Sequence, residues 1–200
     1  MNEIQRSVPV VNIANVLTVL RIVLVPFFVW ALLVDSPGLE PENGAARWIA
    51  VALFAVAIYT DKLDGDLARS KGLITDFGKI ADPIADKLLI GSALVMLALL
   101  DELWWWVVIV ILARELGITL LRFVVIRQGV IPASRGGKLK TVVQTFAIIL
   151  YLLPLSSMLG SWTLWMAGSV MFAALVITVV TGVDYVIKAL RLRAGKISGR

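Results

Sequence analysis

The chain has 200 residues, of which 60% are apolar and only 16% charged, and this excludes an ordinary soluble domain, in which about a quarter of residues are charged. It contains no cysteine, which excludes disulfides and zinc–thiolate sites, and no histidine, so proton transfer must fall to Asp, Glu, Lys or Tyr. A net charge of +5 can indicate nucleic-acid binding, but the distribution of Lys and Arg favours a membrane-topology explanation.

The apolar residues occur in blocks of about 20, which is typical of membrane-spanning helices. We therefore predict an all-α integral membrane protein, a single domain over residues 1–200 with six transmembrane helices. The predicted spans are about 15–34, 47–69, 83–100, 103–127, 140–159 and 162–190. The first is too long for the apolar region of a signal peptide and carries Arg21, so we expect no cleaved signal there.

The connections between the predicted spans alternate in charge. The loop after the first span holds three carboxylates against one arginine, and the turn after the third holds Asp101 and Glu102. The opposite side carries the basic residues Arg69, Lys71, Lys79, Arg127, Arg135, Lys138, Lys140, Lys188, Arg191, Arg193, Lys196 and Arg200. This bias predicts a multi-pass protein of the cell membrane with both termini in the cytoplasm. The basic surplus is then a topology signal, aided by anionic lipid, and we expect no nucleic-acid partner.

A polar stretch follows the second span and reads TDKLDGDLARSKGLITDFGKIADPIADK, with six of the chain's fourteen acidic residues. Asp61 and Asp64 are three residues apart, so on a helix they share a face. Asp82 and Asp86 are four apart and also share a face, whereas Asp66 points roughly 140° away from Asp61. Two aspartate pairs can therefore face each other at the cytoplasmic ends of the second and third helices.

Four clustered carboxylates beside lipid would be costly, at roughly 2.5–3.5 kcal/mol for one Asp at the bilayer centre. Divalent cations would offset the charge, and oxygen ligands without His or Cys favour Mg²⁺ or Mn²⁺. Two such ions would also attract a phosphate ligand. The alternatives are a solvated loop, salt bridges with Lys62, Arg69 and Lys87, or a cation transporter, although acidic residues at one membrane face fit an ion path poorly.

The fourth predicted span and the loop after it contain a group of cations. Arg114 and Arg122 are eight residues apart and lie on nearly one helix face, and Lys138 and Lys140 follow in GGKLKT. Arginine forks match phosphate oxygens, so these residues indicate a pocket for a phosphorylated small molecule. Alternatively, the arginines form interhelical ion pairs and the lysines only mark the cytoplasmic side.

The acidic stretch also carries a family resemblance. Asp61-x-x-Asp64-Gly65-x-x-Ala68-Arg69, then eight residues, then Gly78-x-x-x-Asp82-x-x-x-Asp86 resembles the signature of the CDP-alcohol phosphotransferases. That family's six-helix architecture, with its active site facing the cytoplasm, is similar to the predicted spans. The resemblance implies that the four aspartates hold two divalent ions, Mg²⁺ or Mn²⁺. It also implies that Asp86 is the general base.

Further assignments follow from the same resemblance. The residues that it assigns to binding CDP-diacylglycerol are Asn15, Thr18, Gly65, Ala68, Arg69, Thr75 and Gly78. The chain has Ala14 where the family usually has proline. Members of the family form homodimers, so the resemblance implies a homodimer in membrane lipid.

The segments AREL, ADPIADK and GKLKT resemble the phosphatidylglycerophosphate synthase branch of the family. That branch implies transfer of a phosphatidyl group from CDP-diacylglycerol to sn-glycerol 3-phosphate, with CMP as the leaving group. The acceptor phosphate would be bound by Arg114, Arg122, Lys138 and Lys140. Other branches use an inositol phosphate or, in cardiolipin synthase, phosphatidylglycerol as acceptor, and both remain alternatives.

Overall fold

The computed structural model of the protein describes residues 9, 12–70, 73, 75–125 and 135–197, without the side chains of 122–125, 135, 136, 138 and 192–197. All regular structure in these residues is helical, which confirms the all-α prediction. The helices are α1 (Ile13–Asp35), α2 (Ala45–Ser70), α3 (Asp76–Leu99), α4 (Trp105–Val125), α5 (Arg135–Leu152), α6 (Leu155–Leu159) and α7 (Trp162–Ile197). A single 3-10 turn, Pro37–Leu39, lies between α1 and α2.

The chain forms two compact units that divide between Met96 and Leu97. In the first unit, α1 packs along α2. Phe28 and Phe54 are fully buried between these helices, with their ring centroids 5.6 Å apart. Burial of such aromatic side chains is a main source of stability in a helix pair.

In the second unit, α7 packs against α4, α5 and α6. Its buried apolar side chains include Ile111 of α4, Ile148 of α5 and Met171 of α7. The long α7 therefore provides the surface on which the shorter helices of this unit assemble.

Two of the described helical segments are long and apolar enough to cross a membrane: α1 and the Trp162–Arg191 part of α7. Large apolar side chains remain exposed on both, including Trp30 and Trp165, as expected of surfaces that face lipid rather than water. The helices α2 and α3 carry the acidic stretch, which lowers their mean hydropathy.

The helix starts depend on side-chain caps. The side chain of Asn12 accepts a hydrogen bond from Asn15 N at 3.0 Å, so α1 is capped although Ala14 replaces the usual proline. Thr75 Oγ1 accepts one from Gly78 N at 3.0 Å, and α3 begins at Asp76, seven residues before the predicted span. The prediction from hydropathy therefore included the apolar part of α3 but not its polar first turns.

The region predicted as the fifth span, 140–159, contains two helices. α5 ends at Leu152 and the short α6 begins at Leu155, after Pro154. Proline cannot donate the backbone hydrogen bond that would continue α5, so the break occurs there. At its other end α5 extends back to Arg135, into the basic loop.

Candidate active site

A stripe of polar side chains on α1 lines one side of the site. Asn15, Thr18 and Arg21 follow one another at three-residue intervals, which places them along one side of the helix. Their exposed fractions are 5%, 1% and 0%, so all three face protein rather than lipid or water. An apolar helix with one buried polar stripe must meet polar partners on its neighbours.

Arg21 meets two of the predicted metal ligands on α2. Its Nη1 lies 2.6 Å from Asp61 Oδ1, and its Nη2 donates a hydrogen bond to Asp64 Oδ2. The Asp64 side chain is only 5% exposed, whereas that of Asp61 is 46% exposed. One guanidinium therefore forms ion pairs with both carboxylates of the first aspartate pair. Only the contact with Asp64 has the geometry of a hydrogen bond, and Arg21 Nη1 has no hydrogen-bond partner among the described residues.

Thr18 connects the first aspartate pair to the second. Its hydroxyl donates to Asp82 Oδ1 at 2.6 Å and lies 3.4 Å from Asp64 Oδ2. Asp61 is also within electrostatic range of both Asp82 and Asp86. The structure thus brings together the carboxylates of α2 and α3 against α1.

Three of the residues assigned to CDP-diacylglycerol binding lie together at the start of α3. Asn15 Nδ2 donates to Thr75 Oγ1 at 2.9 Å, and that same oxygen caps α3 through Gly78 N. A Cβ on Gly78 would lie 2.9 Å from Asn15 Oδ1, which is closer than real contacts allow. A side chain at position 78 would therefore displace Asn15 from this position, and glycine leaves the room that Asn15 occupies.

The remaining donor-binding candidates lie on the exposed side of α2. Arg69 Nη2 pairs with Asp66 Oδ1 at 2.9 Å, and both side chains are mostly exposed. Gly65 is next to this arginine, since a Cβ there would be 3.3 Å from Arg69 Nη2. Ala68 is half-buried. Arg69 is within electrostatic range of Asp61, so its charge acts on the carboxylate cluster.

The carboxylate cluster fits divalent cations in its chemistry. Its four aspartates offer only hard oxygen ligands, which Mg²⁺ and Mn²⁺ prefer. Arg21 pairs with Asp61 and Asp64, and the charges of Asp82 and Asp86 also act on Asp61, so negative charge remains in excess of this one guanidinium. Within the described residues, no group of three or more acidic side chains is close enough together to hold a metal ion. Arg21 and Thr18 contact several of the aspartate oxygens.

Arg114, predicted to bind an acceptor phosphate, is held by α7 within the second unit. Its Nε donates to Thr178 O at 3.1 Å and its Nη2 to Thr181 Oγ1 at 2.9 Å. Gly182 leaves room for this arrangement, because a Cβ there would lie 3.0 Å from Arg114 Cγ.

Glu115 joins two of the predicted acceptor-binding cations. Its Oε1 lies 3.6 Å from Arg114 Nη1 and pairs with Lys140 Nζ of α5. Lys140 is buried at 6% exposure and forms an ion pair between α5 and α4, whereas the sequence had suggested interhelical ion pairs for the arginines. The side chains of Arg122 and Lys138 lie outside the described residues.

Sequence reasoning missed the role of Arg21. A signal for this residue was present, because an arginine within an apolar span is costly unless a carboxylate pairs with it.

The fold and the site together define an all-helical, membrane-associated protein with a cluster of aspartates packed against α1. A family model described as CDP-alcohol phosphatidyltransferase matches residues 11–183, and the chain belongs to this family of membrane enzymes. The site aspartates and the α1 stripe all lie within the matched region.

Three named relatives show which members of the family the chain is similar to. The chain is 55% identical over 182 residues to a "Probable phosphatidylglycerophosphate synthase" of Mycobacterium tuberculosis, covering 91% of this chain and 83% of the relative. It is 37% identical over 176 residues to the "CDP-diacylglycerol--glycerol-3-phosphate 3-phosphatidyltransferase" of Rickettsia felis, covering 87% of this chain and 93% of the relative. The Bacillus subtilis protein of the same name is 36% identical over 183 residues, with 87% and 93% covered.

Proposed function

We propose that this protein transfers a phosphatidyl group from CDP-diacylglycerol to sn-glycerol 3-phosphate, giving phosphatidylglycerophosphate and CMP. The observation that carries the proposal is the meeting of Asp61 and Asp64 with Asp82, through the buried side chains of Arg21 and Thr18. The names of the relatives support this donor and acceptor, since those proteins are similar over most of the chain.

Asp61, Asp64, Asp82 and Asp86 would hold two Mg²⁺ or Mn²⁺ ions. When bound, these ions would neutralise the charge that develops on the diphosphate during displacement. Asp86 is half-buried at the second aspartate pair, and we assign it as the general base that accepts the proton of the attacking hydroxyl.

The bond changes are those of a displacement at phosphorus. The 1-hydroxyl oxygen of glycerol 3-phosphate bonds to the phosphorus that carries diacylglycerol, and the bond from that phosphorus to CMP breaks. CMP departs with the electron pair, and the hydroxyl proton goes to Asp86. The donor would be bound by Asn15, Thr18, Gly65, Ala68, Arg69, Thr75 and Gly78.

The acceptor phosphate would be bound by Arg114, Arg122, Lys138 and Lys140. Arg114 and Lys140 lie close together because both pair with Glu115, so the acceptor phosphate would bind beside this carboxylate. Planar arginine donors suit the oxygens of a phosphate monoester.

The proposal includes the placement of the protein. We infer six membrane-spanning segments in the cell membrane, both termini in the cytoplasm, and a site that opens toward the cytoplasm. The alternation of basic and acidic connections supports this orientation. A homodimer is part of the proposal as an expectation from the family.

Acceptor choice is the direct test. Purified protein in detergent receives CDP-diacylglycerol and Mg²⁺ or Mn²⁺, with glycerol 3-phosphate, inositol phosphate or phosphatidylglycerol in separate reactions. We expect CMP release and phosphatidylglycerophosphate, identified by mass spectrometry, only with the first acceptor.

The Asp86→Asn variant is the control for this experiment. Asp86→Asn should abolish CMP release while donor binding persists, because the substitution removes the base but keeps the shape of the side chain. A lipid product from inositol phosphate or phosphatidylglycerol, but not from glycerol 3-phosphate, would contradict the proposed acceptor and leave the reaction class standing.

A further inference from the structure

We propose that Arg21 is an internal counter-ion of the carboxylate cluster and sets the affinity of that cluster for divalent cations. It holds Asp61 and Asp64 in place when no cation is bound. This inference rests on the proposed metal-binding role of these two aspartates. It makes Arg21 a positioning residue, because its contacts are to the predicted ligands and not to a reacting atom.

The first argument is burial. Arg21 is fully buried, and Asp64 is 4% exposed. A carboxylate so far from water is strongly destabilised unless a positive charge or several hydrogen-bond donors compensate it. Arginine keeps its charge under all physiological conditions, so it can compensate Asp64 without any metal.

The second argument is geometric. Arg21 uses separate nitrogens for the two aspartates: Nη1 for Asp61 Oδ1, at 2.6 Å, and Nη2 for Asp64 Oδ2. This fixes the two side chains relative to each other before any cation arrives. Arg21 therefore stabilises this arrangement of the pair on the α2 side of the cluster, and it does so through carboxylate oxygens that a cation would also need.

The third argument is electrostatic competition. The guanidinium engages one oxygen of each carboxylate, so those oxygens are shared between Arg21 and an incoming cation. Its positive charge also opposes a second positive charge at the same carboxylates. Arg21 therefore stabilises the metal-free protein and weakens metal binding, which would keep bound ions exchangeable.

The test compares wild-type protein with Arg21→Met and Arg21→Lys, each in detergent with EDTA or with saturating Mn²⁺. In EDTA we expect Arg21→Met to melt at least about 5 °C below wild type. Mn²⁺ should recover much of this loss, so the metal-induced rise in melting temperature is larger in the variant. Arg21→Met should also bind Mn²⁺ about tenfold more tightly, as measured by the EPR signal of free Mn²⁺.

Arg47→Met is the matched control. Arg47 lies on α2 and is also buried, at 1% exposure. It precedes Asp61 by 14 residues, which is about 21 Å along the helix axis. Its loss should lower the melting temperature equally with and without Mn²⁺. If Arg21→Met behaves in the same way, or binds Mn²⁺ no more tightly than wild type, the inference is overturned.

Arg21→Lys keeps the test informative should Arg21→Met fail to fold in EDTA. Lysine keeps the positive charge but lacks the planar guanidinium. The melting temperature and the Mn²⁺ affinity of Arg21→Lys should therefore lie between those of wild type and those expected for Arg21→Met. An Mn²⁺ affinity equal to that of wild type, in an Arg21→Lys protein that is destabilised, would overturn the inference. Wild-type protein that binds Mn²⁺ but releases no CMP would contradict the proposed function alone. CMP release by wild type with unchanged Mn²⁺ affinity in Arg21→Met would contradict the Arg21 inference alone.

Discussion

Asp64 is more deeply buried than the other three signature aspartates and contacts both Arg21 and Thr18. Replacing it by Asn keeps the shape but removes the charge that a cation would need. We expect Asp64→Asn to lower CMP release at least about 100-fold, since even residues that only orient metal ligands contribute 10–100-fold. The measurement is CMP release from CDP-diacylglycerol at saturating glycerol 3-phosphate and Mn²⁺.

Asp76→Asn is the control for this change. The Asp76 side chain is 94% exposed and pairs with Lys79 on the surface, at 2.8 Å. The hydrogen bond and the charge of Lys79 lower the pKa of Asp76. Exposed pairs of this kind contribute little to stability or function, so its activity should stay within about twofold of wild type. Equal losses in the two variants would show that any lost carboxylate harms the protein, and would contradict the special role of Asp64.

Thr18 tests the link between the two aspartate pairs. Thr18→Val keeps the side-chain volume but removes the hydroxyl that donates to Asp82 at 2.6 Å. Hydrogen bonds to charged groups are worth about 1.5–3 kcal/mol, so we expect the free energy of unfolding to fall by about that amount in EDTA. Thr18→Ser retains the donor and should lose less than half as much. Equal losses would contradict a hydrogen bond between Thr18 and Asp82.

At the scale of whole elements, α7 orients a side chain of α4. Arg114 is bound to Thr178 O and Thr181 Oγ1, and a Cβ on Gly182 would meet its Cγ at 3.0 Å and its Nε at 3.2 Å. Gly182→Ala must therefore shift Arg114. We expect the KM for glycerol 3-phosphate to rise roughly tenfold, equivalent to about 1.4 kcal/mol, with little change in the KM for CDP-diacylglycerol.

Gly168→Ala, on the same helix, provides the comparison. A Cβ there would meet only Tyr151 OH, at 3.6 Å, which is an ordinary contact. Both substitutions raise helix propensity equally, so a difference between them reports the Arg114 contact. If Gly168→Ala raises the KM for the acceptor as much as Gly182→Ala does, Arg114 is not part of the acceptor site.

At the scale of the whole molecule, the periodic features of the fold were readable from the sequence. Apolar blocks indicated the long helices, and the three- and four-residue spacings of the aspartates placed each pair on one helix face. Where a helix continues through polar sequence, as α3 does from Asp76, hydropathy gave no signal. The cap formed by Thr75 determined that start, and capping is visible only when a helix is already suspected.

Contacts between helices were less predictable than the helices themselves. The pairing of Arg21 with Asp61 and Asp64, and of Lys140 with Glu115, joins residues 25 or more positions apart in sequence. A single sequence contains the charges but not the rotation of one helix against another, which depends on how apolar side chains interlock. The sequence therefore identified the aspartates of the site but not the cation that holds them.

The absence of cysteine allows the proposed orientation to be tested one position at a time. Glu40, in the loop after α1, and Asp76, at the start of α3, are both exposed and lie at opposite ends of α2. In intact cells, a membrane-impermeant maleimide should label Glu40→Cys but not Asp76→Cys. After permeabilisation both should react, which shows that each thiol is accessible.

The pattern expected here follows from the distribution of Lys and Arg, which places the basic connections in the cytoplasm. Glycerol 3-phosphate and CMP are charged and do not cross lipid unaided, so a site that uses them must open on the side where they occur. Labelling of Asp76→Cys in intact cells, with Glu40→Cys unlabelled, would show that the orientation is the reverse of the one proposed. The aspartate cluster would then face away from the cytoplasm, and the proposed acceptor would have to be abandoned.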